Sequence, residues 1–481
     1  MSEQTFCNYI AGEWLDGPSQ VANVNPSDTR DTIGHYAQAS IEQLDAAVAA
    51  ARSAQREWAQ SGLEARYKVL MAIGDEMIAR SAEIGELLSR EEGKTRPEGA
   101  GEVYRAGQFF HYYAAEVLRQ QGESADSVRP GVEVFTHREP IGVVGVITPW
   151  NFPVACAAWK IAPALAFGNA VVWKPANLTP GSSWAMAEII SRQAIPAGLF
   201  NLVMGAGGSV GEALINHADV RAVSFTGSVA VGRGVAAACA ARFAKVQLEM
   251  GSKNALLVLD DADLETAVNC AINGAFFSTG QKCTASSRLI VTEGIHDRFV
   301  AAMVERMKTL RIGPALDADS QIGPAVDGKQ LEQNLRYVAL AKEEGARLEW
   351  GGERLECATP GFYMQPTLFS GTDNSMRINR EEVFGPVTCV IRVADYEAAL
   401  AAVNDTEFGL TAGIVTQSLK YASHFRRNAE AGCVMVNLPT AGTDYHVPFG
   451  GRKSSSYGSR EQGRYAIEFY TQVKTAYVHA G

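Results

Sequence analysis

The chain has 481 residues, 47% hydrophobic and 20% charged, with a formal net charge of −10. At roughly 150 residues per domain it can form two or three domains with sizeable cores, and the lack of any basic run argues against nucleic acid as a partner. Its eight cysteines form no C-x-x-C pair, so zinc or thioredoxin-like chemistry is unsupported, no metal site is expected, and a reducing compartment fits better than a disulfide framework.

The first residues lack a basic start and an apolar core, so no signal peptide is expected and the cytoplasm is the expected compartment. Residues 42–60 and 65–92 show the periodicity of amphipathic helices. "GEVYRAGQFFHYYAAE", residues 101–116, reads as another helix and carries Arg105. Residues 123–140 and 468–480 have β character and no home in a regular block. They read as a surface hairpin or as an arm that pairs with another subunit, because an exposed strand edge invites pairing.

From residue 141 the pattern becomes regular. Strands are expected over 141–147, 169–174, 199–205, 220–227 and 244–251, with helices over 154–168, 182–194, 209–217 and 228–243 between them. The longest apolar stretch, "VACAAWKIAPALAFGNAVVW", is interrupted by Lys160, Pro163, Gly168 and Asn169, so it reads as helix, turn and strand rather than a membrane span. Strands alternating with helices of this length predict a parallel sheet covered on both faces, with ligands at the carboxyl ends of the strands. A second block begins with a strand over 254–259, a helix over 262–280 and a strand over 287–293. Two α/β blocks in series predict two domains with a cleft between them.

Several residues at these strand ends could carry chemistry. Gly227 and Ser228 stand where a strand turns into a helix, and free N–H groups with the helix dipole favour phosphate there. "GAGGSVGEA" from 205 to 213 is glycine-rich, and such segments are more often tight turns than phosphate sites. Glu249 ends a strand facing the crevice, where a carboxylate is either solvated, paired or functional. Asn151, between two prolines after the first strand, offers an amide that could hold an oxyanion. Cys283 falls in the turn between helix and strand. A free cysteine is often a buried, inert hydrophobe, but a turn at a strand end is where function concentrates.

In this order "TPWNFP", "WKPANLTP", "FTGS", "LEMGSKN", "GQKC" and "EEVFGPV", with "REEGK" near 90, "NDTEFGLTAG" near 404 and "PFGGRKSS" near 448, resemble the aldehyde dehydrogenase superfamily over nearly the whole chain. The resemblance implies a Rossmann-type cofactor domain (1–119 and 141–250), an α/β catalytic domain (251–459) and a small β oligomerisation arm (120–140 and 460–481) in a homodimer or homotetramer. It implies Cys283 as nucleophile, Asn151 as oxyanion donor and Glu249 as base, with Lys282 beside the thiol either lowering its pKa or lying on the surface. For the cofactor it implies Lys174 at the adenine ribose, Trp150 and Ser228 at the pyrophosphate, and Glu382 and Phe384 at the nicotinamide half, with Thr148, Asn177, Gly207 and Gly227 completing the set. Many relatives carry Glu where Asn177 stands. A carboxylate there repels the 2′-phosphate of NADP, so Asn177 implies that NADP is tolerated as well as NAD.

The C-terminal "DYHVPFGGRKSSSYG", followed by "REQGRYA", resembles the 2-oxoglutarate semialdehyde (2,5-dioxopentanoate) dehydrogenases. An acidic substrate of that kind needs a cation at the tunnel mouth. Arg105 is the expected anchor, with Tyr445, His446 and Arg452 next in line, and Phe152, Trp159 and Phe277 as apolar walls. Succinate semialdehyde or another acid-bearing aldehyde is the alternative within the class. A non-catalytic nucleotide-binding homologue and a cysteine esterase or acyltransferase are the alternatives outside it.

Overall fold

The computed structural model describes residues 5–119, 122–479 and 481. The expected segments at 1–4, 120–121 and 480 lie outside them. An eight-stranded sheet runs in the order Ser456–Tyr457, Lys245–Glu249, Val220–Thr226, Val143–Ile147, Ala170–Lys174, Phe200–Leu202, Asn8–Ile10 and Glu13–Leu15. Its middle strands, from Lys245–Glu249 to Phe200–Leu202, are mutually parallel, as the alternating pattern predicts. The edge strands are antiparallel and come from distant parts of the chain, which strand–helix alternation does not encode.

Register brings the strand ends to one edge. Thr226 pairs with Glu249, Phe225 with Ile147, and Ile147 with Lys174. The segments leaving those ends therefore start side by side. The helix Pro153–Ala166 is buried almost all round, which suits a segment apolar on every face. It packs with the Arg96–Val117 helix into the core of this sheet.

The second block is a seven-stranded sheet in the order Arg347–Trp350, Thr367–Thr372, Val387–Val393, Ser286–Thr292, Asn254–Val258, Thr411–Val415 and Cys433–Val436, parallel except at its first strand. The two β-rich orphan segments meet in one antiparallel sheet. Val132–Pro140 lies between Gly122–Asp126 and Thr471–His479.

Some local expectations differ from the structure. The single helix expected over 65–92 is two, Leu63–Ala79 and Ser81–Glu92, and Arg80 leaves helical geometry between them. Its guanidinium reaches Glu76, Glu83 and Glu188, a tertiary anchor that no glycine or proline announces. The strand expected over 199–205 shortens to Phe200–Leu202, and the following helix opens with a wide turn at Gly207–Gly211 before Glu212–Asn216. Among the described residues no helix is long and apolar enough to cross a membrane.

Candidate active site

A cleft of about 220 Å³ opens between the carboxyl edge of the first sheet and the second block. Trp150, Asn151, Phe152, Trp159, Gly227, Ser228, Glu249, Cys283, Glu382 and Phe384 all line it. These side chains come from segments far apart in sequence, and it is the strand register that gathers them.

Cys283 stands between the short turn Phe277–Gly280 and the strand Ser286–Thr292. Its carbonyl accepts a hydrogen bond from the Asn254 side chain at 2.7 Å, and Asn254 also binds the Ala285 carbonyl at 3.0 Å. Burial pushes the thiol up to about 12, helped by the negative charges of Glu382 and Glu249, while its own backbone N–H acts the other way. The resting sulfur is therefore a thiol, and a base must take its proton before it can attack.

Asn151 is buried. Its Nδ2 donates to the Gln281 carbonyl at 3.0 Å, which aims the amide at the cysteine loop. From behind, Lys94 Nζ donates to the Asn151 carbonyl at 2.6 Å and to Glu102 Oε2 at 2.6 Å, and it lies 4.2 Å from the centre of the Phe152 ring. Glu102 Oε1 in turn accepts from the N–H groups of Val154 and Ala155 at the start of the next helix. An ion pair with every oxygen satisfied thus fixes the loop on which Asn151 sits.

Glu249 is buried, and Ser456 Oγ donates to its Oε2 at 2.6 Å. Burial, reinforced by nearby Glu461, holds its carboxyl well above the ordinary range. Glu461 itself is bonded to Lys160, and Lys160 to Ser224 at 2.8 Å, so a buried charged chain runs behind Glu249. A carboxyl raised in this way can take and return a proton.

For a nicotinamide cofactor the fit rests on features of this chain. Thr226 Oγ1 is buried at the cleft with no partner. Ser228 caps the Val229–Ala241 helix, whose positive end suits phosphate. Glu382 is half-buried at the cleft, accepting from the Ser252 N–H at 2.8 Å, and desolvation pushes it up to about 7. The Phe384 and Trp150 rings meet edge-on at 5.4 Å.

Thr148, Lys174, Asn177 and Gly207 do not line this cleft. They form a neighbouring group on the same sheet edge. Thr148 Oγ1 accepts from Trp173 Nε1 at 2.9 Å, Lys174 Nζ donates to the Pro175 carbonyl, and Gly211 of the Gly207–Gly211 turn lies against the lysine stem. Asn177 Nδ2 donates to Gln38 Oε1 at 3.0 Å.

Arg105, Tyr445 and His446 also stand outside the cleft, but an aromatic chain leads to them. Phe449 contacts Trp159 at 5.9 Å, Trp159 contacts Phe109 at 5.7 Å, and Phe109 contacts Tyr445 at 6.4 Å, with His446 against Tyr445. Arg105, one helical turn before Phe109, donates to the carbonyl of Thr443. Phe277 does not line this cleft: it is half-buried and packs against the core of the second sheet. Lys282 is not a surface residue. It is buried, its Nζ donates to the Asn273 carbonyl at 2.9 Å, and desolvation lowers it to about 8.

Residues 14–476 match the Aldehyde dehydrogenase family. The chain belongs to that family. Its reaction is the oxidation of an aldehyde to an acid with a nicotinamide cofactor. A relative named alpha-ketoglutaric semialdehyde dehydrogenase from Bacillus subtilis is 44% identical, over 99% of this chain and 98% of its own. A crystal structure of betaine aldehyde dehydrogenase from Staphylococcus aureus in complex with NAD+ superposes with a TM-score of 0.97 at 33% identity, covering 100% of this chain and 96% of that one. An E. coli structure described as an NADP-dependent enzyme gives 0.95 at 35% identity, over 99% and 98%.

The side chains that sequence reasoning overlooked are mostly supports. Lys94 lies in the "REEGK" segment, yet its bond to Asn151 spans 57 residues and no spacing rule connects them. Cys156, Thr226 and Phe449 line the cleft as ordinary-looking residues of a helix, a strand end and a loop.

Proposed function

We propose that the protein oxidises 2-oxoglutarate semialdehyde to 2-oxoglutarate, with NADP or NAD as hydride acceptor. The observation that carries the substrate assignment is Arg105, a cation bonded to the loop that bears Tyr445, at the far end of the aromatic chain from the cleft. The far carboxylate of an acidic semialdehyde needs such a partner, since an unpaired buried carboxylate is costly. The name of the 44% identical relative supports the same substrate. Betaine aldehyde, the substrate named for the Staphylococcus aureus neighbour, carries a fixed positive charge that this arginine repels.

In this reading Cys283 gives up its proton to water in the cleft and attacks the carbonyl carbon. The Asn151 amide and the Cys283 N–H hold the oxyanion that forms. The nicotinamide cofactor, when bound, supplies the acceptor for the hydride that leaves as the oxyanion collapses to a thioester on Cys283. Trp150, Ser228, Glu382 and Phe384 would hold its pyrophosphate and nicotinamide half, and Thr148, Lys174, Asn177, Gly207 and Gly227 the rest. Glu249 then takes a proton from water, the hydroxide displaces the Cys283 thiolate to release the acid, and Glu249 returns its proton to the sulfur.

The proposed division gives the eight-stranded sheet to the cofactor domain, apart from its edge strand Ser456–Tyr457, the seven-stranded sheet to the catalytic domain, and the sheet around Val132–Pro140 to the arm. We assign the protein to the cytoplasm as a homodimer or homotetramer. Exposed Val473, Tyr477 and Val478 on the Thr471–His479 edge strand support a subunit contact there.

Arg105→Ala tests the substrate. Its KM for 2-oxoglutarate semialdehyde should rise at least about tenfold, as expected for loss of an ionic hydrogen bond. Propanal should be nearly unaffected and betaine aldehyde improved. Equal effects on all three aldehydes would assign Arg105 a structural role and remove the basis for the substrate.

A further inference from the structure

The turn that delivers Cys283 is strained. Ser278 and Thr279 both have left-handed backbones, with φ of 53° and 54°. Neither is glycine, and a β-branched threonine is especially disfavoured there. Such a pair persists only where surrounding contacts hold it.

For Ser278 those contacts come from one side chain on the helix Arg96–Val117. Glu98 Oε1 accepts from the Ser278 N–H at 2.8 Å and from Ser278 Oγ at 2.9 Å. Its other oxygen accepts from the Thr95 N–H and hydroxyl, both at 2.8 Å, which locks the carboxylate onto the helix start. Thr279 Oγ1 is tied separately to the Gly323 carbonyl at 3.0 Å. One turn along the same helix, Glu102 holds Lys94 and the N–H groups behind Asn151. Residues 98 and 102 share a helix face. A single rigid element therefore grips both halves of the reaction centre, the turn before the sulfur and the loop with the amide.

We propose that Glu98 is a positioning residue for the reaction: it holds the left-handed Ser278–Thr279 turn and so sets Cys283 against the Asn151 amide. Glu98 touches neither substrate nor cofactor on this account, and the inference rests on Cys283 as the nucleophile. Loss of the carboxylate should let residue 278 relax toward ordinary backbone and move the sulfur. The effect should then fall on the chemical step, with little change in cofactor affinity, because Ser228 and Glu382 stand on other elements.

The test uses four variants of the full chain: Glu98→Ala, Glu98→Gln, Ser278→Gly and the double variant Glu98→Ala/Ser278→Gly. Turnover is measured with saturating NADP and 2-oxoglutarate semialdehyde, cofactor affinity by fluorescence titration, and alkylation of Cys283 by iodoacetamide with mass-spectrometric localisation. Glu98→Ala should lower kcat about tenfold to a hundredfold, the range for a charge-assisted hydrogen bond, with cofactor affinity changed less than about twofold. Glycine adopts positive φ without strain, so the double variant should recover most of that loss. A helix-capping role alone gives no reason for glycine at 278 to help.

An unchanged kcat in Glu98→Ala, or a double variant no better than the single, overturns the proposal. If Glu98→Ala does not fold, Glu98→Gln decides. Having lost one acceptor, it should turn over several-fold more slowly with cofactor affinity intact, and parent-like turnover overturns the proposal. Cys283→Ala separates this inference from the reading beneath it. A Cys283→Ala protein that still turns over removes the nucleophile itself, whereas an inactive one beside a fully active Glu98→Ala removes only the role of Glu98.

Discussion

Replacing Lys94 with methionine removes a buried cation and leaves its partners behind. The ammonium lies 2.6 Å from Glu102 Oε2, 3.9 Å from Glu92 and 2.6 Å from the Asn151 carbonyl, with the Lys94 and Glu92 side chains 1% exposed and that of Glu102 2%. Breaking one side of a buried pair typically costs about 3–5 kcal/mol, because the surviving charge is stranded. Glu102 keeps two backbone donors, so the lower end of that range is expected here. The urea midpoints of the parent, Lys94→Met, Glu102→Gln and the double variant make a cycle. The double variant should be more stable than Lys94→Met alone, since it removes the stranded charge, and the coupling should exceed about 1 kcal/mol. Turnover should fall in both Lys94 variants, since the Asn151 loop loses its anchor in each. Additive stabilities, or a Lys94→Met enzyme with parent-like turnover, would refute the reasoning.

Asn177→Glu should shift the preference from NADP toward NAD, because a carboxylate beside a 2′-phosphate is repelled by about 1–4 kcal/mol at a partly screened site. An unchanged ratio of kcat/KM for the two cofactors means that residue 177 does not face the ribose. The raised thiol of Cys283 sets a pH dependence with a definite sign: the reactive thiolate is scarce at neutral pH and rises about tenfold per pH unit. Alkylation of the cofactor-free protein should climb steadily from about pH 7 to 9, and Glu382→Gln should speed it at each pH by removing a neighbouring negative charge. A plateau below about pH 8 contradicts the burial argument.

How much of this was legible beforehand follows from the range of each interaction. Val143–Ile147 and Ala170–Lys174 are recognisable as strands because their apolar runs are short, rich in valine and bounded by turn residues. Parallel pairing then brings Asn151, Ser228, Glu249 and Lys174 to one edge without further information. The end of the helix at Arg80 was not legible, since its cause is an ion pair with Glu188, 108 residues away. The packing of Phe277 against the second sheet's core is a tertiary contact that its place beside the cysteine segment does not record. The supports Lys94, Glu98 and Asn254 act through contacts at long separation, and a local pattern records only that a charged or amide residue is present.

The proposed chemistry is a covalent route through Cys283 with Glu249 as the base that releases the product. Intact-mass analysis of Glu249→Gln, quenched after mixing with NADP and 2-oxoglutarate semialdehyde, tests it most directly. The expected result is one reduced cofactor formed per subunit, then a stall, with a 2-oxoglutaryl group carried on the peptide that contains Cys283 and none in Cys283→Ala. Steady turnover without an adduct, or an adduct on Cys156 or Cys433 instead, would contradict it.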